Sequence, residues 1–357
     1  MKKITVPRKK AKKPQAPSRI TNETVAEHRE RILAGGRRFK YPVQYARHRL
    51  VINAIVISLV VLVLLVAIVW QQLYIGQNTS NFFYRVTRFI PVPVASVDGQ
   101  MVRYSDYLLY LNGSAYHLQR NDQIDFSTEN GKAQLDHIKR QSINGAEADA
   151  YAMKLAKELG VTVEEKEIDE IIEQDRASYG NISEEVYNAS ALSVLGWSTS
   201  EYRHVIYNKL LRFKVEYMID KGANKVQAKV ADALKKDPDA DFDKLSKNIN
   251  SQHSGSTIVG RSGLVPYNNS DGGLSDAAAK LKKDQVSDVI KSNSGDGYYF
   301  IRLLEDTGSQ LSYSYIYIPL SEFDDRLAKL RDAKKIEEYI TVPEGASLAP
   351  QTSDQNN

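Results

Sequence analysis

The chain is predicted to be an α+β protein with a single transmembrane helix, then a mainly helical domain and a small α/β domain. Three observations predict this. One uncharged apolar stretch is long enough to cross a bilayer, the middle of the chain repeats apolar residues at helical spacing between helix-start signals, and the last third alternates with a period of two.

Residues 1–49 form a basic tail. Fifteen Lys/Arg stand against three Glu, a net +12 that leaves −8 for the rest of a chain whose total is +4. The tail, 1–49, is expected to be largely disordered, above all its Pro- and Lys-rich first 20 residues, with a short helix over Val25–Leu33. Then comes Leu50–Trp70, LVINAIVISLVVLVLLVAIVW, 21 residues with no charge. At about 1.5 Å per residue it covers a hydrocarbon core of about 30 Å, so 50–72 is predicted to be a transmembrane helix with Trp70 and Tyr74 at the interface. A cleaved signal peptide would have a shorter apolar region nearer the start. Positive residues beside a span stay in the cytoplasm, which puts the tail inside and the domains after Tyr74 outside the cell membrane. Topology and anionic lipid account for PRKKAKKP, and no aromatic interleaving marks a nucleic-acid surface, so no nucleic-acid partner is expected.

The helical domain is predicted over 94–221. VASVDGQMVRYSDY begins as a strand, turns at Asp98-Gly99 and enters a helix opened by Ser105. Gln134–Leu159 is helical and stops at Gly160, a residue suited to the left-handed position after a helix. Thr162–Glu165 has the form of a capping box, with Ile168, Ile171 and Ile172 as the apolar stripe behind it. Ser198–Glu201 repeats the box ahead of Tyr202, Val205, Ile206, Leu210 and Phe213.

The α/β domain is predicted over 222–320. Val286–Glu305, VSDVIKSNSGDGYYFIRLLE, reads as strand, turn and strand, with Tyr299, Ile301 and Leu303 on one face and Tyr298, Phe300, Arg302 and Leu304 on the other. Leu311–Leu320 alternates Tyr313, Tyr315 and Tyr317 against Ser312, Ser314, Ile316 and Ile318. A C-terminal helix over 321–341 should dock through Phe323, Leu327 and Leu330, and 342–357 should be disordered.

Composition excludes several chemistries. The chain has no cysteine, so thiol catalysis, disulfides and Cys-ligated metals are ruled out. No two of His28, His48, His117, His137, His204 and His253 stand at helical ligand spacing, and no metal or other cofactor is expected. There is no GxGxxG, P-loop, HExxH or GxSxG sequence. The Asn-x-Ser/Thr triplets at Asn78, Asn112, Asn181, Asn188 and Asn268 are taken as chance.

LAKELGVTVEEKEIDEIIEQ and LGWSTSEYRHVIYNKLLRFKV resemble the N-terminal helical domain of the SurA and PrsA folding factors, as does the VASVDGQMVRYSDY opening. DFDKLSKNINSQHSGSTIVGRSGLV, without gaps, and then DAAAKLKKDQVSDVIKSNSGDGYYFIRLLE resemble in order a parvulin-type (PpiC) peptidyl-prolyl isomerase domain. The resemblance implies a groove whose substrate-binding positions fall on Leu264, Val265 and Leu274 (or Ala279), with the polar position near Ser251 or Gln252. It also puts Tyr299 where the family has a histidine. The strand carrying the family's second histidine should precede the Lys225–Leu234 helix, and no such strand is there. Two placements of 311–320 fit the pattern. In a permuted domain it supplies the missing strand, with Tyr315 beside Tyr299 as candidate catalytic residues; otherwise it returns to pair with Pro93–Val97.

The resemblance implies an extracytoplasmic folding factor whose partners are unfolded or newly exported polypeptides. Three functions stay open: an isomerase with weak or lost catalysis, a non-catalytic holdase, and a docking partner in an envelope complex. Tyr299 has the plain alternative of filling space on a strand. Charge segregation across the span makes the first prediction: protease added to spheroplasts should remove the part after Tyr74 and spare the basic tail, and digestion of the tail instead would reverse the topology.

Overall fold

The computed structural model describes residues 21–40, 42–252 and 256–344. The chain divides into two compact units, Met1–Gln72 and Leu73–Asn357. In the first, α1 (Asn22–Lys40) is longer than the short helix expected, and α2 (Pro42–Trp70) starts eight residues before the predicted span. The tail is therefore helical over 22–40 and from 42 onward, while the expectation of disorder for 1–20 lies outside the described residues. One helix, His48–Ile75, is long and apolar enough to cross a membrane; its large apolar side chains from Leu50 to Ile68 are exposed and Leu73 is buried.

The second unit opens with α3 (Asn81–Phe89) and a hairpin of β1 (Pro93–Val97) and β2 (Gln100–Arg103). Asp98 (φ 47°) and Gly99 (φ 79°) make the turn, both in the left-handed region that a two-residue hairpin of this hand requires. The chain passes straight into α4 (Tyr104–Arg120), so Ser105 does not open the helix; it is buried in the first turn, and the N-cap position is Arg103. Then follow α5 (Glu129–Leu159), α6 (Glu165–Ser178), α7 (Glu184–Leu195) and α8 (Thr199–Ile219). Helix α5 starts five residues before Gln134, because Thr128 caps it by accepting from the Gly131 N–H, and it ends at Gly160 with φ 69°. The second capping signal is shifted. Glu164, not Thr162, is the N-cap of α6, and Glu167 accepts from the Glu164 N–H at 2.8 Å. Ser198 and Glu201 form the reciprocal box predicted for α8. Ile168, Ile172, Tyr187 and Ile206 meet in one buried cluster between α6, α7 and α8.

Asp220 ends α8, and α9 (Lys221–Lys236) begins at once. After α10 (Phe242–Gln252) come β3 (Ile258–Arg261), β4 (Val265–Pro266), α11 (Leu274–Ala278), β5 (Ile290–Lys291), β6 (Gly297–Asp306) and β7 (Gln310–Pro319). The strands form an antiparallel sheet in the order β3-β7-β6-β5, with β4 also on β7. The first strand of the predicted pair is reduced to Ile290–Lys291, preceded by an isolated bridge from Val286 to Arg302. Alternation sorts the rest. Tyr298, Phe300, Ile316 and Ile318 pack on Val226, Val230, Leu234, Phe242 and Ile249 of α9 and α10. Arg302 belongs to this face because its guanidinium lies 4.4 Å over the Phe242 ring and donates to the carbonyls of Pro238 and Ala240.

The C-terminal helix is shorter than predicted. Helix α12 (Glu322–Asp332) stops before Lys334 at φ 55°, and β8 (Ile336–Glu338) pairs with β1. So 311–320 does not return to Pro93–Val97; 336–338 does, in the order β2-β1-β8. A helix running on to 341 would have left the outer edge of β1 without hydrogen-bond partners. Arg140 of α5 fastens the segment by donating to Glu338 (2.5 Å) and to the carbonyls of Val342 (2.6 Å) and Pro343 (3.1 Å). Val342 is buried, so the predicted tail is anchored over 342–343, and 345–357 lie outside the described residues. Phe323 packs on Tyr151, and Arg331 reaches the buried Glu147 at 2.7 Å. Burial pushes the Glu147 carboxyl up to about 7, outweighing the Arg331 charge.

Arg140→Ala removes a charged donor from three acceptors, each such bond being worth about 1.5–3 kcal/mol where buried. Amide exchange at 336–343 is expected to accelerate strongly while β6 and β7 keep their protection.

Candidate functional site

The second face of β6 and β7 is built by register. Tyr299 stands opposite Tyr317, Ile301 opposite Tyr315 and Leu303 opposite Tyr313. Four tyrosines therefore line one surface. The rings of Tyr299 and Tyr317 stack with centroids 4.7 Å apart, and Tyr315 meets Tyr299 edge-on at 5.8 Å. The Tyr315 ring lies over Gly260, its partner on β3, where an added Cβ would fall 2.3 Å from the ring, so a side chain there would displace it.

Two carboxylates hold the hydroxyls. Tyr299 donates to Asp296 Oδ2 at 2.5 Å, Ser294 donates to Oδ1 at 2.7 Å, and Tyr317 donates to the Asp296 carbonyl at 3.0 Å. Tyr313 donates to Asp271 Oδ2 at 2.6 Å, and Asp271 also accepts from the Ser275 N–H and hydroxyl and from the Asn269 amide. Burial by itself would raise both acids, but these hydrogen bonds prevail and hold each carboxyl below its usual range. Burial, reinforced by Asp296, pushes the Tyr299 hydroxyl up. Near neutral pH Tyr299, Tyr313 and Tyr317 are thus neutral donors and the two acids ionised, an arrangement that orients hydrogen bonds. Among the described residues, none hydrogen-bonds the Tyr315 hydroxyl.

The structure brings together Tyr299, Tyr315, Val265 and Leu274, all in or against one cluster with Ala278, Ile301, Leu303, Leu311 and Tyr313. Leu274 is buried and Ala279 exposed. Leu264 is about half exposed at the rim, 52%. Ser251 and Gln252 stand apart. They are exposed on the last turn of α10, which packs on the opposite face, and both turn back to Asn248. Sequence reasoning missed Asp271 and Asp296. Asp296 was visible only as a turn residue of SNSGDG, and nothing in linear spacing ties Asp271 to Tyr313, 42 residues away.

A separate groove of about 580 Å3 runs between the end of α5, α6, α8 and the turn before β6. Val161, Ile171, Leu210, Phe213, Tyr217 and Met218 give it an apolar lining, and Lys214, Lys291 and Asn293 a polar margin. Its floor is fixed by the Tyr217 hydroxyl, which donates to the Gly297 carbonyl at 2.7 Å.

Residues 44–216 match the family described as the SurA-like N-terminal domain. The match begins before the apolar helix and ends within α8, a wider stretch than the 94–221 expected. No curated protein matches the chain.

Tyr299→Phe is expected to cost about 1.5–3 kcal/mol, the value of a hydrogen bond to a charged group, and Tyr315→Phe less than about 0.5 kcal/mol. The pH dependence follows from Asp296. Its carboxyl is lower in the folded protein than in the unfolded chain, where it sits near about 4, so its stabilisation is present above that value and is lost as pH falls through the folded value. Denaturant unfolding should show the gap between wild type and Tyr299→Phe narrowing as pH falls below about 4.

Proposed function

We propose that the protein is a membrane-anchored, extracytoplasmic folding factor that binds unfolded or newly exported polypeptides, with a permuted parvulin-like domain whose isomerase activity is weak or lost. The match of residues 44–216 to the SurA-like N-terminal domain carries the folding-factor reading. The apolar helix His48–Ile75 and the basic residues before it support an anchor with the N-terminus in the cytoplasm. The position of β7 supports the permuted parvulin-like reading. It lies between β3 and β6, next to the hairpin strand that carries Tyr299, where the resemblance requires a strand that the chain before α9 does not supply.

Weak catalysis follows from the tyrosine face. Prolyl isomerisation breaks no covalent bond; its barrier of about 20 kcal/mol is amide resonance, lowered by desolvating the X-Pro amide and favouring a twisted geometry. Such a groove needs room over the sheet and free donors at the position of the twisting amide. Here Tyr299 is stacked on Tyr317 and committed to Asp296, which leaves Tyr315 as the donor able to reach a substrate. Binding of unfolded chains falls instead to the groove beside Phe213 and Met218, where apolar residues accept side chains of varied sequence and the polar margin meets the backbone.

The test uses the full chain in nanodiscs. It should delay aggregation of several unrelated unfolded clients at near-stoichiometric ratio while barely accelerating a proline-limited refolding reaction. Loss of the holdase effect for every client would favour a docking role. A strong isomerase rate untouched by Tyr299→Phe and Tyr315→Phe would show catalysis by shape and desolvation alone, and would overturn the reading of weak activity. Tyr299→His with Tyr315→His should raise turnover more than either change singly, because each histidine depends on the other's hydrogen bond.

A further inference from the structure

Helix α3 presents an apolar face that none of the described residues of its own unit covers. Phe83, Tyr84 and Thr87 are buried, and the Thr87 hydroxyl is spent on the Phe83 carbonyl at 2.9 Å. On the other side Phe82 is 67% and Phe89 88% exposed, with Ile90 exposed just beyond. Seven residues apart on a helix, Phe82 and Phe89 lie within about 20° of one another around the axis. Arg85 stands exposed between them, and Arg88 beside Phe89 is half exposed at 3.6 Å from Glu201.

We propose that α3 is an interfacial helix that lies on the phospholipid surface, a reading that rests on the membrane anchor proposed above. Three features select lipid over another occupant. Continuity comes first: the apolar helix ends at Ile75, and the chain from there to Asn81 can extend at most about 20 Å, so α3 cannot leave the neighbourhood of the bilayer. Composition comes second, since aromatic side chains are at home at the level of the headgroups. Charge comes third: Arg85 stands exposed beside the two rings, and a guanidinium pairs with phosphate through two parallel hydrogen bonds. The helix leads through Ile90 into β1, with the Tyr104 N–H donating to the Val92 carbonyl at 2.8 Å. A lipid-bound α3 would thereby fix the β1–β2 sheet against the surface, in place of a folded part that tumbles freely on a stalk.

The absence of cysteine makes the test direct. Single variants Phe82→Cys, Phe89→Cys, Val60→Cys in the span and Tyr179→Cys on an exposed turn are prepared in the full chain, spin-labelled and placed in phospholipid nanodiscs. Collision with oxygen reports lipid, and collision with a water-soluble nickel chelate reports solvent. Labels at 82 and 89 should resemble the label at 60, favouring oxygen, with the label at 179 favouring nickel. Labels at 82 and 89 as open to nickel as the one at 179, with 60 in lipid, would overturn the interfacial helix and leave the anchor standing. Shielding of 82 and 89 from both reagents would overturn it in favour of a protein partner or a second copy. A label at 60 open to nickel would remove the anchor and the proposal together.

Discussion

The antiparallel pairing of β6 with β7 is the constraint on which the rest of the sheet region depends. Ten-residue strands joined by a tight turn have two faces, and up to the bulge between Leu303 and Glu305 each side chain's face is decided by parity. One face buries Phe300 and Ile316 against α9 and α10; the other gathers Tyr299, Tyr313, Tyr315 and Tyr317. A slip of one residue would exchange the two sets, putting tyrosine hydroxyls into the aliphatic core and isoleucines beside Asp296 and Asp271. Register is therefore specified strongly, by the cost of burying unpaired hydroxyls as much as by apolar burial.

Carboxylates, one buried and two half-buried, then tie this sheet to its surroundings. Asp220 caps α9 through the Ala223 N–H at 2.8 Å with one oxygen, and with the other accepts from the N–H groups of Ser321 and Glu322 at the start of α12. One side chain thus joins the end of α8 to the end of β7. It satisfies donors at the starts of two helices, which a buried carboxylate does well and an apolar residue cannot. Asp296 and Asp271 act similarly on tyrosine hydroxyls. This explains a surface that is aromatic in packing and whose hydroxyls are held by carboxylates.

The outcome for the chain's two ends follows the same logic of satisfied backbone groups. The edge of β1 is completed by β8, not by β7, because β7 has two apolar or aromatic faces and needs a central place, whereas Ile336–Glu338 is short and carries charges suited to an edge. Arg140 and Arg331 then hold α12 and β8 onto α5. The N-terminal end shows the opposite condition. The described residues of their unit leave Phe82 and Phe89 exposed, a few residues after the apolar helix.

By itself the sequence determined what depends on local chemistry: the uncharged apolar helix, the turn at Asp98-Gly99, the stop at Gly160, the box at Ser198–Glu201, and the period-2 faces of Tyr298–Leu303 and Leu311–Ile318. Each is decided within a few residues, by sterics, capping or alternation. Tertiary structure decided the rest. Glu164 displaced Thr162 as the cap of α6, where Lys214 of α8 also reaches the Glu167 carboxylate at 2.6 Å, a partner no local pattern contains. Asp271 and Asp296 became hydroxyl acceptors, and Ser251 and Gln252 fell away from the tyrosine face, because the packing side of α10 is chosen by Phe242 and Ile249. Which strand fills the centre of the sheet was equally beyond local reach. Alternation says that a segment is a strand with two faces; only competition among all the open edges of the folded chain says which neighbour it takes.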